Sequence, residues 1–371
     1  MPIRVAVVGA GHLGRIHTRI LSSLPQFQLQ AIVEPVESQR QQVAAEFQTT
    51  GVAAVSDVLD RVDAVVIAAP TTHHHAVATQ CLSRGKHVFV EKPLTLDRRQ
   101  ADALIRLASQ QRVALQVGHV ERFNPAFTAA QPHLRQPKFI QATRRGGYTF
   151  RSTDIGVVLD LMIHDIDLVL ALAPGEVTRV DAMGVALFGQ HEDMAQARIE
   201  FENGCVANLN ACRASHSAER TMQIWTTDGF AALDFQQKTS SIVRPSAALR
   251  ERTLQVDTLS PAEKQTLRER LMTDHLPLEQ LTVTPVDAIT AELLDFAESI
   301  ATGRSPRVSG QAGRDAVALA ERVLDKIAAH AWNGAHPGPI GPHFETAPAI
   351  IPAPHWQVKP ASAPQRLREA G

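Results

Sequence analysis

The sequence has few cysteines and almost no net charge. Its 371 residues include three cysteines, 37 basic residues and 38 acidic residues. Cys81, Cys205 and Cys212 form no C-x-x-C pair, so neither a disulfide framework nor a zinc site is indicated. The balanced charge provides no basic surface for nucleic acid or an anionic membrane. We therefore expect a small-molecule ligand and no nucleic-acid or membrane partner.

The sequence also has no long apolar run, and its first residues do not show the pattern of a targeting segment. No stretch reaches the roughly 18 apolar residues that a transmembrane helix needs. Met1 leads directly into a strand pattern, without the basic region and apolar core of a signal peptide. These features predict a cytoplasmic protein. The length exceeds that of one ordinary hydrophobic core, which predicts two domains.

The first third of the chain alternates apolar runs with helix-like segments. The runs are nearly continuous Val, Ile and Ala, which is typical of strands buried on both faces of a parallel sheet. This βαβ pattern predicts an α/β Rossmann domain that binds NAD over residues 1–122. The predicted strands are Ile3–Gly9, Leu29–Glu34, Ala64–Ala69, His87–Val90 and Val113–Val117.

Residues 123–330 predict a second domain, of the α+β class, for substrate binding and oligomerisation. Asn124-Pro125 predicts the start of a helix. Alternation over 197–201, followed by Asn203-Gly204, predicts an antiparallel hairpin with a type I′ turn. The domain should therefore contain an open, mainly antiparallel sheet.

Three later helices are predicted in the same domain, and a tail follows it. The helices cover about 260–272, 287–302 and 313–330, and the first lies in a polar, insertion-like stretch, 236–282. Residues 331–371 include eight prolines and show no periodicity. They predict an extended tail without its own core.

A GxGxxG run, Gly9-Ala10-Gly11-His12-Leu13-Gly14, follows the first strand and opens a helix. In this context the first glycine permits a tight turn, the second lets the backbone approach a pyrophosphate, and the third allows close helix packing. The helix N-terminus attracts the phosphate charge. The predicted cofactor-binding residues of the run are Gly9, Gly11, His12, Leu13 and Gly14.

Glu34 ends the second predicted strand, 20 residues after Gly14. An acidic side chain there can accept hydrogen bonds from both adenosine ribose hydroxyls and would repel a 2′-phosphate. No arginine follows until Arg40. NAD is therefore favoured over NADP, although a solvated glutamate at a strand end would leave the choice open.

Glu91-Lys92-Pro93, preceded by Gly85-Lys86-His87-Val88, indicates a family. Together with Pro70-Thr71 and His74 upstream, these residues resemble the Gfo/Idh/MocA oxidoreductases. The resemblance covers about 3–330 and leaves out the tail. It implies an NAD-dependent dehydrogenase acting on a secondary hydroxyl of a sugar, with Pro70, Thr71, His74, Glu91 and Lys92 at the cofactor.

Two segments, 118–125 and 158–167, are most similar to the bacterial UDP-N-acetylglucosamine 3-dehydrogenase branch of that family. Its members oxidise the sugar 3-hydroxyl to a ketone, which a separate aminotransferase converts to an amine for lipid A. The resemblance therefore implies a nucleotide-sugar substrate and a downstream aminotransferase in the pathway.

Other functions stay open beside this one. Related branches oxidise inositols or free sugars. A different class, the NAD-dependent glycoside hydrolases, tends to use a tyrosine base, but the single tyrosine, Tyr148, lies outside the 160–164 segment. A non-catalytic NAD-binding regulator is disfavoured because Lys92, Asp160 and His164 are all retained.

Oxidation of an alcohol requires a proton acceptor and a group that stabilises the developing negative charge. Lys92 follows a strand, at the edge where open α/β sheets bind ligands. Asp160 and His164 are four residues apart and share a face if the segment is helical. Resemblance to the inositol dehydrogenases implies a catalytic triad of these three residues with His164 as the general base. The alternative is a satisfied core network.

No metal site is predicted. His164, Asp165 and Asp167 would point in different directions on a helix, and the run His73-His74-His75 fails for the same reason. One of these three histidines, His74, is expected to line the cofactor pocket, as it does in relatives.

Substrate contacts are predicted after the last strand of the first domain. Arg122 could hold a phosphate or carboxylate, or form an interdomain salt bridge with Glu121. Arg144, Arg145, Tyr148 and Arg151 suit a UDP-linked sugar, or form a solvated basic loop. The predicted substrate-binding residues are Lys92, His119, Arg122, Tyr148, Asp160 and His164.

The second domain also carries the oligomerisation prediction. Its sheet has a face of polar pattern without an obvious covering helix, and relatives pair such faces. We therefore expect a homodimer or homotetramer.

Overall fold

The protein is built on two β-sheets joined by shared helices. A computed structural model describes residues 1–150, 154–173, 175–332 and 337–342. Most of the predicted tail, and Arg151, lie outside these residues.

The first sheet has six parallel strands in the order β3-β2-β1-β4-β5-β6. Its central strands are buried over most of their length because helices cover both faces. The predicted Rossmann architecture is confirmed. The strands are β1 (Ile3–Val8), β2 (Phe27–Val33), β3 (Thr50–Val52), β4 (Ala64–Ile67), β5 (His87–Glu91) and β6 (Leu115–Gly118).

Four helices alternate with these strands. Asp97 caps the last of them, since its carboxylate accepts a hydrogen bond of 2.9 Å from the backbone NH of Gln100. The helices are α1 (His12–Ser23), α2 (Glu37–Glu46), α3 (Thr71–Ser83) and α4 (Arg98–Gln111). Short 3₁₀ turns lie at Val55–Asp57, Leu59–Arg61, Val120–Phe123, Gln131–His133 and Val256–Thr258.

The second sheet has eight strands in the order β14-β13-β12-β11-β7-β10-β9-β8. Neighbouring strands are antiparallel except for the central pair β7 and β10, so the sheet is mainly antiparallel, as predicted. Side chains alternate between a buried face and an open face. The strands are β7 (Phe139–Arg145), β8 (Val177–Val185), β9 (Met194–Phe201), β10 (Val206–Cys212), β11 (Glu219–Thr226), β12 (Gly229–Asp234), β13 (Thr239–Val243) and β14 (Leu278–Gln280).

The remaining helices cover one face of the second sheet or lie in the polar insertion, except for one late helix that packs on the first sheet. A π-helical turn, Val158–Met162, runs directly into α6, and a second one, Leu271–His275, follows α8. The helices are α5 (Pro125–Ala130), α6 (Ile163–Leu172), α7 (Ala247–Arg250), α8 (Pro261–Arg270), α9 (Ala288–Thr302) and α10 (Gly310–Ala329). α10 begins three residues earlier than predicted because Ser309 caps it.

The predicted hairpin between β9 and β10 is confirmed, but its predicted turn type is wrong. The backbone NH of Gly204 donates to the carbonyl of Phe201 at 2.9 Å, and Gly204 has a φ of 77°. A type I′ turn also needs a positive φ at Asn203, which is not among the described residues that have one. The loop is therefore a three-residue turn, 202–204, that ends in a left-handed glycine. At the predicted start of α5, Asn124 caps the helix by accepting from Ala126.

Helix α9 completes the core of the first sheet although it comes late in the chain. Leu293 and Phe296 pack in one cluster with Val5 and Phe89, and the rings of Phe89 and Phe296 meet edge to face at 5.9 Å. The side chain of Gln116 in β6 donates to the carbonyl of Glu292 at 2.8 Å. Residues of the second predicted domain thus cover the nucleotide-binding sheet.

Helix α10 touches both halves of the molecule. Its apolar side, which includes Val323 and Ile327, belongs to the core of the second sheet. Its other side packs on α4, and Arg314 forms an ion pair of 2.8 Å with Asp102. None of the helices in the described ranges has both the length and the apolar character needed to cross a bilayer.

Candidate active site

A cleft of about 1040 Å³ runs along the carboxyl ends of β1, β2, β4 and β5 and reaches the second sheet. It connects the glycine-rich turn with Lys92 and Asp160, as the βαβ pattern predicted for a ligand site. The predicted site residues that line it are Gly9, Gly11, His12, Leu13, Glu34, Pro70, Lys92 and Asp160. Residues not predicted that line it include His73, Thr149, Leu161 and Arg220.

The glycine turn at the nucleotide end leaves no room for side chains. A Cβ on Gly9 would lie 2.6 Å from the Ala68 carbonyl oxygen, and one on Gly14 would lie 1.9 Å from the Gly9 oxygen. Gly14 therefore acts behind the cleft, by helix packing. Gly11, in contrast, faces open space and precedes α1 without a capping side chain. The free amides of α1 fit a pyrophosphate, as a nicotinamide dinucleotide requires.

Glu34 is held rigidly at the end of β2. Its two carboxylate oxygens accept hydrogen bonds of 3.0 Å from the backbone NH groups of Ala10 and Val36. Arg40 donates to the carbonyls of Glu34 and Pro35, at 2.7 and 3.0 Å, rather than to the carboxylate. The negative charge of Glu34 therefore meets the cleft without a cationic partner, which suits ribose hydroxyls and opposes a 2′-phosphate.

His74 does not line the cleft, which corrects its predicted position. Its two ring nitrogens lie 2.8 Å from the carbonyl oxygens of Pro93 and Ala69. The ring therefore links the loop after β5 to the loop after β4. Burial lowers the pKa of His74. Its neighbour His73 lines the cleft instead. Thr71 is the buried first residue of α3 and also lies behind the cleft surface.

Lys92 and Asp160 meet at the far end of the cleft. The Lys92 Nζ donates to the backbone carbonyl of Asp160 at 2.6 Å and to its Oδ1 at 3.0 Å. Asp160 lies in the π-helical turn, where the wider hydrogen-bonding pattern makes a backbone carbonyl available to an outside donor. Both side chains are mostly buried, so solvent screens this ion pair weakly.

Glu91 lies on the opposite side of the backbone from Lys92 and faces the interior. Its Oε1 is 2.6 Å from the Nε2 of His17. Burial would raise the pKa of Glu91, but His17 and Lys92 bring that pKa below its usual value. Glu91 thus fixes the position of Lys92 from behind rather than contacting a ligand in the cleft.

Glu292 in α9 approaches this pair. Its carboxyl is 0% exposed, and neither oxygen has a hydrogen-bond partner among the described residues. Burial above all, helped by the charge of Glu91, raises the pKa of Glu292 well above its usual value. One ligand atom from each of His17, Glu91 and Glu292 lies within 4.8 Å of the others, a spacing that a metal could also use. We interpret His17 and Glu91 as a hydrogen-bonded pair, because they contact each other directly, and Glu292 as a buried neighbour that forms no bond with them.

His164 lies one helical turn beyond Asp160 and packs against the buried His119. Their rings are perpendicular, with centroids 6.3 Å apart. His164 is half-buried, its Nδ1 has no partner among the described residues, and the same is true of both ring nitrogens of His119. Burial, followed by the charge of Lys92, lowers the pKa of His164 well below its usual value. His164 is therefore a neutral base near pH 7.

Arg122 pairs with Asp167 and not with Glu121, which corrects one predicted alternative. Its Nε and Nη2 lie 2.6 and 2.9 Å from the Asp167 carboxylate. Glu121 instead accepts from Arg144 at 2.7 Å. Because its donors are occupied by a buried carboxylate, Arg122 does not face the cleft.

The predicted basic loop is in fact part of β7 and its end. Arg144 is buried between Asp165 and Glu121; burial opposes the charge, but the two carboxylates raise the pKa of Arg144. Arg145 pairs with Glu219 on the other face of the sheet. Tyr148 packs against Phe150 and Phe188 below the Arg213 guanidinium and does not line the cleft.

Comparisons with known proteins agree with this architecture. A model of an oxidoreductase family with an NAD-binding Rossmann fold matches residues 3–119. A model of the GFO/IDH/MocA C-terminal domain matches residues 116–232.

Individual relatives cover most of the chain. The UDP-N-acetylglucosamine 3-dehydrogenase of Acidithiobacillus ferrooxidans is 36% identical over 326 residues, which are 86% of this chain and 96% of the relative. A solved structure of that enzyme superposes with a TM-score of 0.78 over 88% of this chain and 97% of its own. The scyllo-inositol 2-dehydrogenase (NAD⁺) of Bacillus subtilis is 31% identical over 57% of this chain and 68% of its own. A levoglucosan dehydrogenase solved with NADH shares the fold, at 18% identity and a TM-score of 0.74 over 88% of this chain and 97% of its own.

Proposed function

The chain belongs to the Gfo/Idh/MocA family of NAD-dependent oxidoreductases acting on CH–OH groups, and we propose that it oxidises the 3-hydroxyl of UDP-N-acetylglucosamine. The observation that carries the proposal is the pairing of Lys92 with Asp160 at the end of the nucleotide cleft, beside a neutral histidine. The choice of substrate follows the relative from Acidithiobacillus ferrooxidans, which matches over most of both chains.

Lys92 is the residue proposed to hold the reacting hydroxyl. Its ammonium lies at the cleft surface and keeps a free donor after its two bonds to Asp160. A cation at that oxygen stabilises the negative charge that develops as the proton leaves. NAD, when bound, accepts the hydride that leaves the carbon. Asp160 acts by fixing the ammonium in position through these two bonds.

His164 is the proposed general base. A base must be deprotonated before it can act, and burial together with Lys92 keeps the pKa of His164 low enough for this near pH 7. The Nε2 atom is the one proposed to take the proton, because Nδ1 is buried. Once protonated, the imidazolium would lie near Lys92, and this repulsion favours passing the proton on after each turnover.

NADH formation with a panel of substrates tests the proposal. We expect turnover with UDP-N-acetylglucosamine to exceed that with free N-acetylglucosamine and with scyllo-inositol. His164→Ala should lower kcat by about 100-fold or more with little change in NAD affinity. His133→Ala, at an exposed histidine, is the matched control. Faster turnover of scyllo-inositol would assign the inositol reaction instead, and p-nitrophenyl glycoside cleavage without net NADH would assign a hydrolase.

We further propose that the protein forms a homodimer or homotetramer through the open face of the second sheet. Phe139, Trp225 and Phe230 form a half-buried aromatic cluster on that face, with ring centroids 5.3 and 5.7 Å apart. Such a cluster is typical of an interface. Sedimentation at the monomer mass of 40.3 kDa would reject this proposal.

The ketone product also suggests a pathway partner, an aminotransferase that converts it to an amine. Coupling the oxidation to a 3-ketosugar aminotransferase should draw the reaction forward. An unchanged yield of NADH would argue against that partner.

A further inference from the structure

The substrate end of the cleft contains a cation that forms no ion pair within the part of the chain that the structure describes. The Lys92 ammonium is paired with Asp160, and Arg144 is paired with two carboxylates. Arg220 of β11, which lies in register with Arg144 of β7, also lines the cleft, but its guanidinium forms no ion pair or hydrogen bond with any residue in the described ranges. The positive charge of Arg220 is therefore available to a ligand.

The position of Arg220 follows from the alternation of β11. Arg220 shares a face with Met222 and Ile224, both 0% exposed under the covering helices. Arg220 lies near the start of the strand, outside the region that the helices cover, and its side chain lines the cleft instead of the core. Glu219, the adjacent acid, points to the opposite face and pairs with Arg145 at 2.6 Å. It therefore does not neutralise Arg220.

Arg220 lies within electrostatic reach of the reacting groups. Its charge adds to burial, Lys92, Arg144 and His119 in lowering the pKa of His164. Lys92 has Asp160 as its partner, so Arg220 is the cleft-lining cation whose guanidinium stays without a partner among the described residues. A neutral sugar or inositol does not need such a charge. A nucleoside diphosphate sugar does, because its phosphates lie next to the sugar, and the planar guanidinium matches phosphate oxygens in pairs.

The cofactor carries a diphosphate as well, but that group has its own site at the opposite end of the cleft. The free amides of α1 follow Gly11, and Glu34 marks the adenosine ribose beyond them. Arg220 instead lies on the second sheet, in register with Arg144, and its charge acts on His164 together with that of Lys92, at the end where the reacting hydroxyl is placed. We therefore propose that Arg220 binds the diphosphate of the substrate and selects a nucleotide sugar over a free sugar. This inference rests on the proposed function.

Kinetics of Arg220→Gln test the inference. Losing one charged hydrogen-bond contact should raise the KM for UDP-N-acetylglucosamine by about 10- to 100-fold, with kcat and the Kd for NAD within about twofold of the wild type. Arg220→Lys should restore part of the affinity, since it keeps the charge but not the paired donors. Arg179→Gln, at an exposed arginine of β8, is the matched control and should change none of these quantities.

Direct binding of UDP separates this inference from the proposed reaction. Calorimetry on the NAD-loaded protein should show UDP binding that weakens in Arg220→Gln by the same factor as the KM. If UDP binds in this way but UDP-N-acetylglucosamine is not oxidised, the inference holds and the proposed function fails. Unchanged UDP binding in Arg220→Gln would overturn the inference. A weakening confined to NAD would also overturn it, because it would place the cofactor's phosphates at Arg220.

Discussion

The buried carboxyl of Glu292 should make the stability of this protein fall as pH rises, and Glu292→Gln should remove that fall. The side chain is 0% exposed and its oxygens have no partner among the described residues. Burial first, then the charges of Glu91, Asp287 and Asp295, raise its pKa well above 4.5. The folded protein therefore holds this proton at pH values where the unfolded chain has lost it.

The sign and size follow from proton linkage. Below the unfolded pKa both states are protonated, and the stability associated with the neutral carboxyl is fully present. Between the unfolded and the folded pKa only the folded state holds the proton, so the free energy of unfolding decreases by about 1.4 kcal/mol for each pH unit. Glutamine has nearly the same shape and no proton to lose. The advantage of Glu292→Gln should therefore grow with that slope and level off above the folded pKa.

Urea unfolding at several pH values between about 5.5 and 8.5, without NAD, measures this difference. Glu298→Gln is the control, because Glu298 lies on the same helix and its side chain is 62% exposed. Its effect should be small and constant with pH. A constant difference for Glu292→Gln would refute the raised pKa. A different result would be that Glu292→Gln becomes less stable than the wild type as pH rises, and that a chelator destabilises the wild type in the same way. It would show that Glu292 is ionised and holds a metal together with His17 and Glu91.

Further predictions concern the cleft. Glu34→Ala should raise the Kd for NAD by about 10-fold, because the acceptors for the ribose hydroxyls are lost. It should also reduce the preference for NAD over NADP, because the charge that repels a 2′-phosphate is lost. Fluorescence titration with both cofactors measures the two Kd values. Gly14→Ala places a methyl group 1.9 Å from a carbonyl oxygen, so Tm and NAD affinity should both fall, by calorimetry and titration. Asp160→Asn should lower kcat by about 100-fold through misplacement of Lys92 while NAD still binds; stopped-flow NADH formation checks it, and an unchanged kcat would contradict it. The acid limb of kcat/KM should lie below pH 6.5, because the lowered pKa keeps His164 deprotonated above it; a limb at higher pH would assign the base elsewhere.

The first sheet could largely be predicted because its strands are nearly continuous apolar runs that alternate with helix-like segments, a pattern typical of a parallel sheet. The glycine turn and Glu34 could be placed for the same reason, since each follows such a run. Thr50–Val52 was missed because a three-residue strand containing glycine carries no periodicity. Its pairing with β2 is set by tertiary contact.

The site was less predictable where residues meet across the two sheets. The sequence suggests Glu121 as a partner of Arg122 because the two are adjacent, whereas Asp167, the observed partner, is 45 residues away. Arg144, expected at a UDP-linked sugar or in a solvated loop, is buried against Glu121 and Asp165. Arg220 was missed because an isolated arginine has no motif. Its alternation with Met222 and Ile224 did contain the signal, since it places a cation on the covered face of a strand.

The late position of α9 and α10 in the sequence affects how the protein folds during synthesis and which fragments of it can fold alone. The nucleotide-binding sheet emerges first from the ribosome, yet Val5 and Phe89 find their cover only when Leu293 and Phe296 arrive. Until then the first sheet, which binds NAD, exposes an apolar surface. A fragment ending near residue 122 should therefore aggregate rather than fold as an isolated NAD-binding domain. Inserting a new substrate domain between β6 and α9, in contrast, would leave that cover in place.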